Sequence, residues 1–272
     1  EIITSKGKAG IGTKFYAAAA PITTTSSTHN FTTGIMATED ATTVTVSGYD
    51  ANVQFVNNTT PPLTLTFTLN KGQSYILAGQ ADVVANRDGF IGSKIVSTKP
   101  ISVTNGNANA MYATGQTSNG SDLIMDQSVP VDRLGDEFAM VRSLSPIPSF
   151  NTEGGIIVAT ENNTEIYLNG NGTPVATLAE GDYYRILENN YVQQGTSGHY
   201  NMYIKATKNI YLYQLVGRTG TETGGYNYIP PWNCFLPRKI DEIGKVQEMP
   251  GSSGTIILKL NILTEAGAVV TY

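Results

Sequence analysis

Two histidines, one cysteine and three pairs of adjacent acids are the residues of this 272-residue chain with the widest chemical reach. His29 lies in the Thr/Ser run TTTSSTHN, and His199 lies in GTSGHYNMY at the start of an expected strand. A hydrolytic triad needs a nucleophile and a base brought together, but the chain carries no G-x-S-x-G elbow. Both histidines therefore read as loop residues. Cys234, in a Pro-rich bend, reads as a small buried apolar residue. The pairs Glu39/Asp40, Asp136/Glu137 and Asp241/Glu242 invite a glycosidase reading, which needs two carboxylates facing one sugar. Neighbours on a strand point to opposite faces, so no adjacent pair can do that work. These residues point away from catalysis.

Two constellations are left that could hold a ligand. The acids Asp122, Asp126, Asp132 and Asp136 could supply the oxygens that calcium prefers. Calcium through Asp122, Asp126 and Asp132 is thus the one cofactor the sequence admits, although the spacing fits no EF-hand and also suits an acidic bend. Aromatic residues crowd the second half: Tyr183, Tyr184, Tyr191, Tyr200, Tyr203, Tyr211, Tyr213, Tyr226, Tyr228 and Trp232. Tyr211 and Tyr213 alternate on one strand face and suit a core. The stretch TETGGYNYIPPWN (221–233) reads as a loop because of its Gly and Pro. Tyr226, Tyr228 and Trp232 are therefore the expected ligand-binding residues, able to stack on a sugar or anchor a protein. The Gly-rich stretches 7–12 and 217–225 lack the Lys-Ser/Thr ending of a phosphate loop and read as turns.

The elements that must position these residues are strands. Charged residues are only 14% of the chain, well under the roughly 25% of ordinary domains. Gly and Thr take up the difference, and the many Thr, Val, Ile and Tyr suit a pleated surface. Leu63, Leu65, Phe67 and Leu69 alternate with Thr64, Thr66 and Thr68, the clearest strand signal present. Residues 14–22 read as a buried strand, and residues 94–106 as two strands separated at Pro100. No stretch shows helical periodicity. The fold class is all-β. A net charge of −5 opposes nucleic-acid binding, which needs a basic footprint. No apolar run reaches the ~18 residues of a membrane helix.

The same order of blocks occurs twice. IMATEDATTVTV (35–46) matches IVATENNTEIYL (157–168) 122 residues on; KGQSYIL and IVSTKPISV match EGDYYRIL and IKATKNIYL 109 residues on. One change of offset is one indel, in the 50–70 region. GTKFYAA (12–18) matches GDEFAMV (135–141), and SVPVDRLG (128–135) is echoed in CFLPRKIDEIG (234–244). The expected plan is two tandem related β-sandwich-like modules, tightly packed, at 12–134 and 135–245. Residues 1–11 form a leader strand or loose terminus, and 246–272 a terminal strand or the start of a further repeat.

The blocks GTKFYAAAAP, ATEDATTVTV, KGQSYIL, IVSTKPISVTNGN and SDLIMDQSVPVDRLGDEF resemble the N-terminal domain family of IgGFc-binding-type proteins, over roughly residues 10–245. That resemblance implies an extracellular or cell-surface β protein with an adhesive or ligand-binding task and no catalytic residues. Similar domains occur in bacterial surface proteins, including those of gliding bacteria exported by the type IX pathway. The single cysteine excludes an internal disulfide and suits such a bacterial setting. The expectation is a non-catalytic region of a large secreted surface protein. Its partners are a surface protein or glycan and the host's secretion and outer-membrane machinery. The alternatives are a structural spacer in a surface filament and a carbohydrate-binding appendage of a secreted hydrolase.

Overall fold

A computed structural model describes residues 5–24, 26–114, 121–142, 151–196, 198–219 and 222–232, with three isolated positions beyond. The chain is all-β. The first sheet holds β1 (Ile11–Tyr16), β2 (Asn30–Ala37), β3 (Thr42–Ser47), β4 (Thr64–Leu69), β5 (Ser74–Ala78), β6 (Lys94–Ala110) and β7 (Asp122–Gln127). Its order is β4-β3-β6-β2-β5, with β1 and β7 also paired to β6. The second sheet holds β8 (Gly135–Val141), β9 (Gly154–Ala159), β10 (Thr164–Leu168), β11 (Ala176–Leu178), β12 (Tyr183–Ile186), β13 (Val192–Gln193), β14 (Tyr200–Thr219) and β15 (Glu222–Tyr228). It repeats the plan as β11-β10-β14-β9-β12, with β8, β13 and β15 on β14. Each sheet curls like a half-barrel. In the first, Phe67 of β4 and Tyr75 of β5 stack 4.1 Å apart, joining strands that exchange no ladder.

The registers repeat as well as the order. Val96 faces Lys14 on one side and Thr45 on the other. Lys205, 109 residues on, faces Glu137 and Tyr167 in the same way. Residues 94–106 form one strand and not two. Pro100, which has no N–H to give a ladder, falls where β3 stops pairing at Ser97 and β2 starts at Ile101. Its carbonyl accepts from the Thr38 N–H and hydroxyl. The expected loop at 221–233 is also corrected, since 222–228 is strand β15 on β14. Gly224 and Gly225 sit beside the register shift at Val216–Gly217, where an irregular ladder suits residues without side chains. Gln127 pairs Thr104, and Tyr228 pairs Tyr213. β15 is thus the counterpart of β7, 101 residues on. The echo at 234–244 lies outside the described residues, as does the suggested further repeat, apart from isolated positions.

The two halves share a core. The outer face of the second sheet presents Ile156, Val158, Tyr211, Tyr213, Leu215, Tyr226 and Tyr228, all buried in one cluster with Phe15, Ile35, Val46, Ile101 and Val103 of the first. Each such side chain contributes roughly 1.5–3 kcal/mol by leaving water. Polar contacts fix the alignment. The Tyr211 hydroxyl donates to Val129 O at 2.7 Å, the Tyr112 hydroxyl to Val216 O at 2.8 Å, and the Tyr183 hydroxyl to Asp88 at 2.9 Å. Gly92 (φ +82) meets the Gly181 carbonyl so closely that a Cβ would lie 1.6 Å from that oxygen. The inner face of the second sheet makes its own core around Phe138, Ile157, Ile166, Ile204 and Leu212.

Candidate binding face

The strand pattern decides where the aromatics go. Tyr226 and Tyr228 alternate on β15 and point into the seam between the sheets, 2% and 7% exposed. Tyr226 lies flat on Tyr213 with ring centres 4.6 Å apart. Burial, the largest cause in each case, raises their pKa values, so both hydroxyls stay protonated. Neither hydroxyl has a hydrogen-bond partner among the described residues. Of the three predicted aromatic residues, only Trp232 is open, at 42%.

Trp232 is held firmly at its backbone. Its N–H donates to Glu137 O at 2.6 Å, extending the chain along β8 beyond β15. The preceding Pro231 is buried against Gly135, where a Cβ would come within 2.6 Å of the proline ring. Gly12 and Pro130 make the same contact in the first half. The indole lies 6.1 Å from the Tyr203 ring, tilted by 49°. Tyr203 is fixed in turn by a backbone pair with Asn169, whose N–H donates to Tyr203 O while its side-chain oxygen accepts from Tyr203 N–H. On this outer face, residues alternate with the buried Met202, Ile204 and Ala206. The row Glu137–Lys205–Tyr167 crosses β8, β14 and β10 directly beside the aromatic pair.

Lys205 Nζ sits 2.7 Å from Glu137 Oε1. Hydrogen bonding from Lys205, then its charge, and the Tyr203 hydroxyl hold the Glu137 carboxyl below its ordinary range against some burial. Glu137 correspondingly raises Lys205. The Tyr167 hydroxyl donates to Glu165 at 2.8 Å. The surface therefore offers two tilted aromatic planes beside an anion, a cation and a phenol. Such a face can stack a ring, anchor an aliphatic or aromatic side chain, and hydrogen-bond around it.

The other predicted residues do not gather. Asp126 is 1% exposed, and its oxygens accept from Lys6 Nζ at 2.8 and 3.0 Å, Tyr228 N at 2.8 Å and Gln127 N at 2.9 Å. Asp132 is exposed beside Arg133, and Asp122 stands at the far end of β7. Among the described residues no three His, Cys, Asp or Glu side chains form a group that could hold a metal ion. His29 is buried, with Nδ1 2.6 Å from Thr24 O, a structural contact. His199 is exposed, and Cys234 lies outside the described residues.

One cluster lies outside the predicted residues. Arg142 bridges Glu188 and Glu153, two acids that are 3% and 0% exposed, while Arg185 donates to the carbonyls of Tyr112 and Asn151. In the first half the corresponding places hold Phe31 and Gly79, with the Phe31 ring packed over the glycine. Reading the repeat column by column, Phe31 against Glu153 is the substitution that could have exposed it. Buried this deeply, the acids serve with Arg142 as a cross-link between strand ends.

The described residues thus form a double half-barrel of β sheets with one open aromatic pair on its outer face. The chain belongs to the family described as IgGFc binding protein, whose model matches residues 3–255. No curated relative and no solved structure matches it.

Proposed function

We propose that this chain is a non-catalytic, ligand-binding region of a large extracellular surface protein, and that its ligand lands on the Trp232–Tyr203 face. The observation that carries this reading is the exposed indole, fixed at its backbone and paired with Tyr203 beside Lys205, Glu137 and Tyr167. A large aromatic left open on a rigid sheet is the usual anchor of a protein or glycan contact. Family membership supports ligand binding in an extracellular setting, with immunoglobulin Fc as one protein to test. The low cysteine count favours a bacterial cell surface, where such a module would serve adhesion, including that of gliding cells. The test screens purified chain against a glycan array and a panel of extracellular proteins, Fc included. Retention of one ligand class, lost on Trp232→Ala at unchanged melting temperature, supports the reading; no retention by the native chain refutes it.

A structural spacer in a surface filament is the second reading, favoured by the linker-free packing of the halves. Rigid, shared cores set a fixed reach per pair of modules.

A further inference from the structure

The contact between the two halves is not symmetric. The second half uses its outer β9/β12/β14 face and the turn at Glu180–Gly181. The first half receives them at Tyr16, Gly92 and Lys94. A two-fold arrangement would also bury the matching turn of the first half, Lys71–Gly72, against the second. That turn is exposed, and a Cβ added at Gly72 would meet nothing within 4 Å. The contact is therefore heterologous, and such contacts leave both complementary faces open at their ends.

The free turn is built like the occupied one. Lys71 N donates to Asp40 Oδ1 at 3.0 Å and Gly72 N to Ala37 O, as Glu180 N does to Asn162 Oδ1 at 3.0 Å and Gly181 N to Ala159 O. Both glycines are left-handed, at φ +78 and +87. The receiving positions are partly open in the second half: half-buried Ala139 and Tyr203 and exposed Pro230 stand where Tyr16, Lys94 and Val129 stand in the first. The charges have been exchanged on both sides. Glu180 sits among Lys94, Lys14 and Tyr16; at the open end the turn carries Lys71, and the receiving face has Glu137, which Lys205 also pairs, in place of Lys14, with Tyr203 and Trp232 beside it. A lysine over paired aromatics next to a carboxylate is a favourable seat.

We propose that the chain associates head to tail with a second copy of itself, the Lys71–Gly72 turn of one copy seating on the Trp232–Tyr203 face of the next. This rests on reading that face as a binding face. The outer contact is weaker than the inner one for two reasons. Asn201 replaces Gly92 and holds the turn further out, and the donor face carries Gly34, Met36, Ser102 and Thr104 where the second half has Ile156, Val158, Tyr211 and Tyr213.

Sedimentation velocity over a concentration series tests it. Native chain is expected to rise above the mass of one chain as concentration increases, without a plateau at the dimer. Lys71→Glu and Glu137→Lys should each weaken association about five- to tenfold, the scale of a lost and reversed surface ion pair. The double variant should recover it, and so should an equimolar mixture of the two single variants, in which the turn of each complements the face of the other. A native chain that stays monomeric at its highest soluble concentration overturns the proposal. So does association that plateaus at a dimer and ignores both substitutions. Lys71→Glu should leave ligand binding at Trp232 intact in dilute solution, so loss of assembly and loss of ligand binding are told apart.

Discussion

Gly92→Ala should destabilise this protein by far more than its size suggests. Two costs add. At φ +82 an L-residue meets its own backbone, at roughly 1–2 kcal/mol. The new Cβ would also lie 1.6 Å from Gly181 O, so the turn of the second half must retreat. Overpacking of that kind costs about 1–3 kcal/mol, and retreat loosens Glu180 from both Lys94 and Tyr16. Together the loss is about 2–5 kcal/mol. Gly48→Ala supplies the control, because Gly48 has the same φ of +82 but open space around it. It should show the backbone cost alone. The assay is guanidinium unfolding of all three chains, following midpoint and slope. A Gly92→Ala midpoint no lower than that of Gly48→Ala would refute the claim that the halves are locked at this point.

Further outcomes are expected elsewhere. Tyr226→Phe removes a buried hydroxyl with no partner among the described residues and should leave stability unchanged or raise it by about 1 kcal/mol in thermal unfolding, whereas Tyr213→Phe, which loses the 2.5 Å contact with Ser128, should cost about 1 kcal/mol. Burial is the largest influence on Glu188 and raises its carboxyl pKa in the folded state above 4.5. A raised folded value means the native state holds the proton more tightly. The stabilisation is therefore full below the unfolded value and is lost as pH rises through the folded one. Glu188→Gln should flatten that part of a melting-temperature profile against pH. Chelator should not shift the melting temperature of the native chain, because the Asp126 oxygens already serve Lys6 and backbone donors.

Much of the fold is legible in the sequence, and the reasons are local. Alternation in TLTFTL and the matched blocks at offsets 122 and 109 depend on neighbouring residues and on order, and both recur as registers such as Thr45–Val96 and Tyr167–Lys205. The errors came where composition stands for geometry. Gly224, Gly225, Pro230 and Pro231 made 221–233 look like a loop, yet the glycines flank a register shift and the prolines follow the strand's last residue. Tyr226 and Tyr228 consequently turned out to face the other half. The binding face itself was half legible: Trp232 stood out as the lone tryptophan, but Tyr203, Lys205, Glu137 and Tyr167 come from three strands whose meeting depends on long-range pairing. The Arg142–Glu153–Glu188 cross-link was hidden for the same reason.

The lone tryptophan also makes the central claim directly measurable, since its emission reports on the proposed site and nowhere else. Fluorescence titration with the ligand retained in the screen should shift or quench Trp232 emission saturably and shield it from iodide. Binding that saturates by calorimetry while Trp232 emission and iodide quenching stay unchanged would contradict the assignment of the ligand to this face.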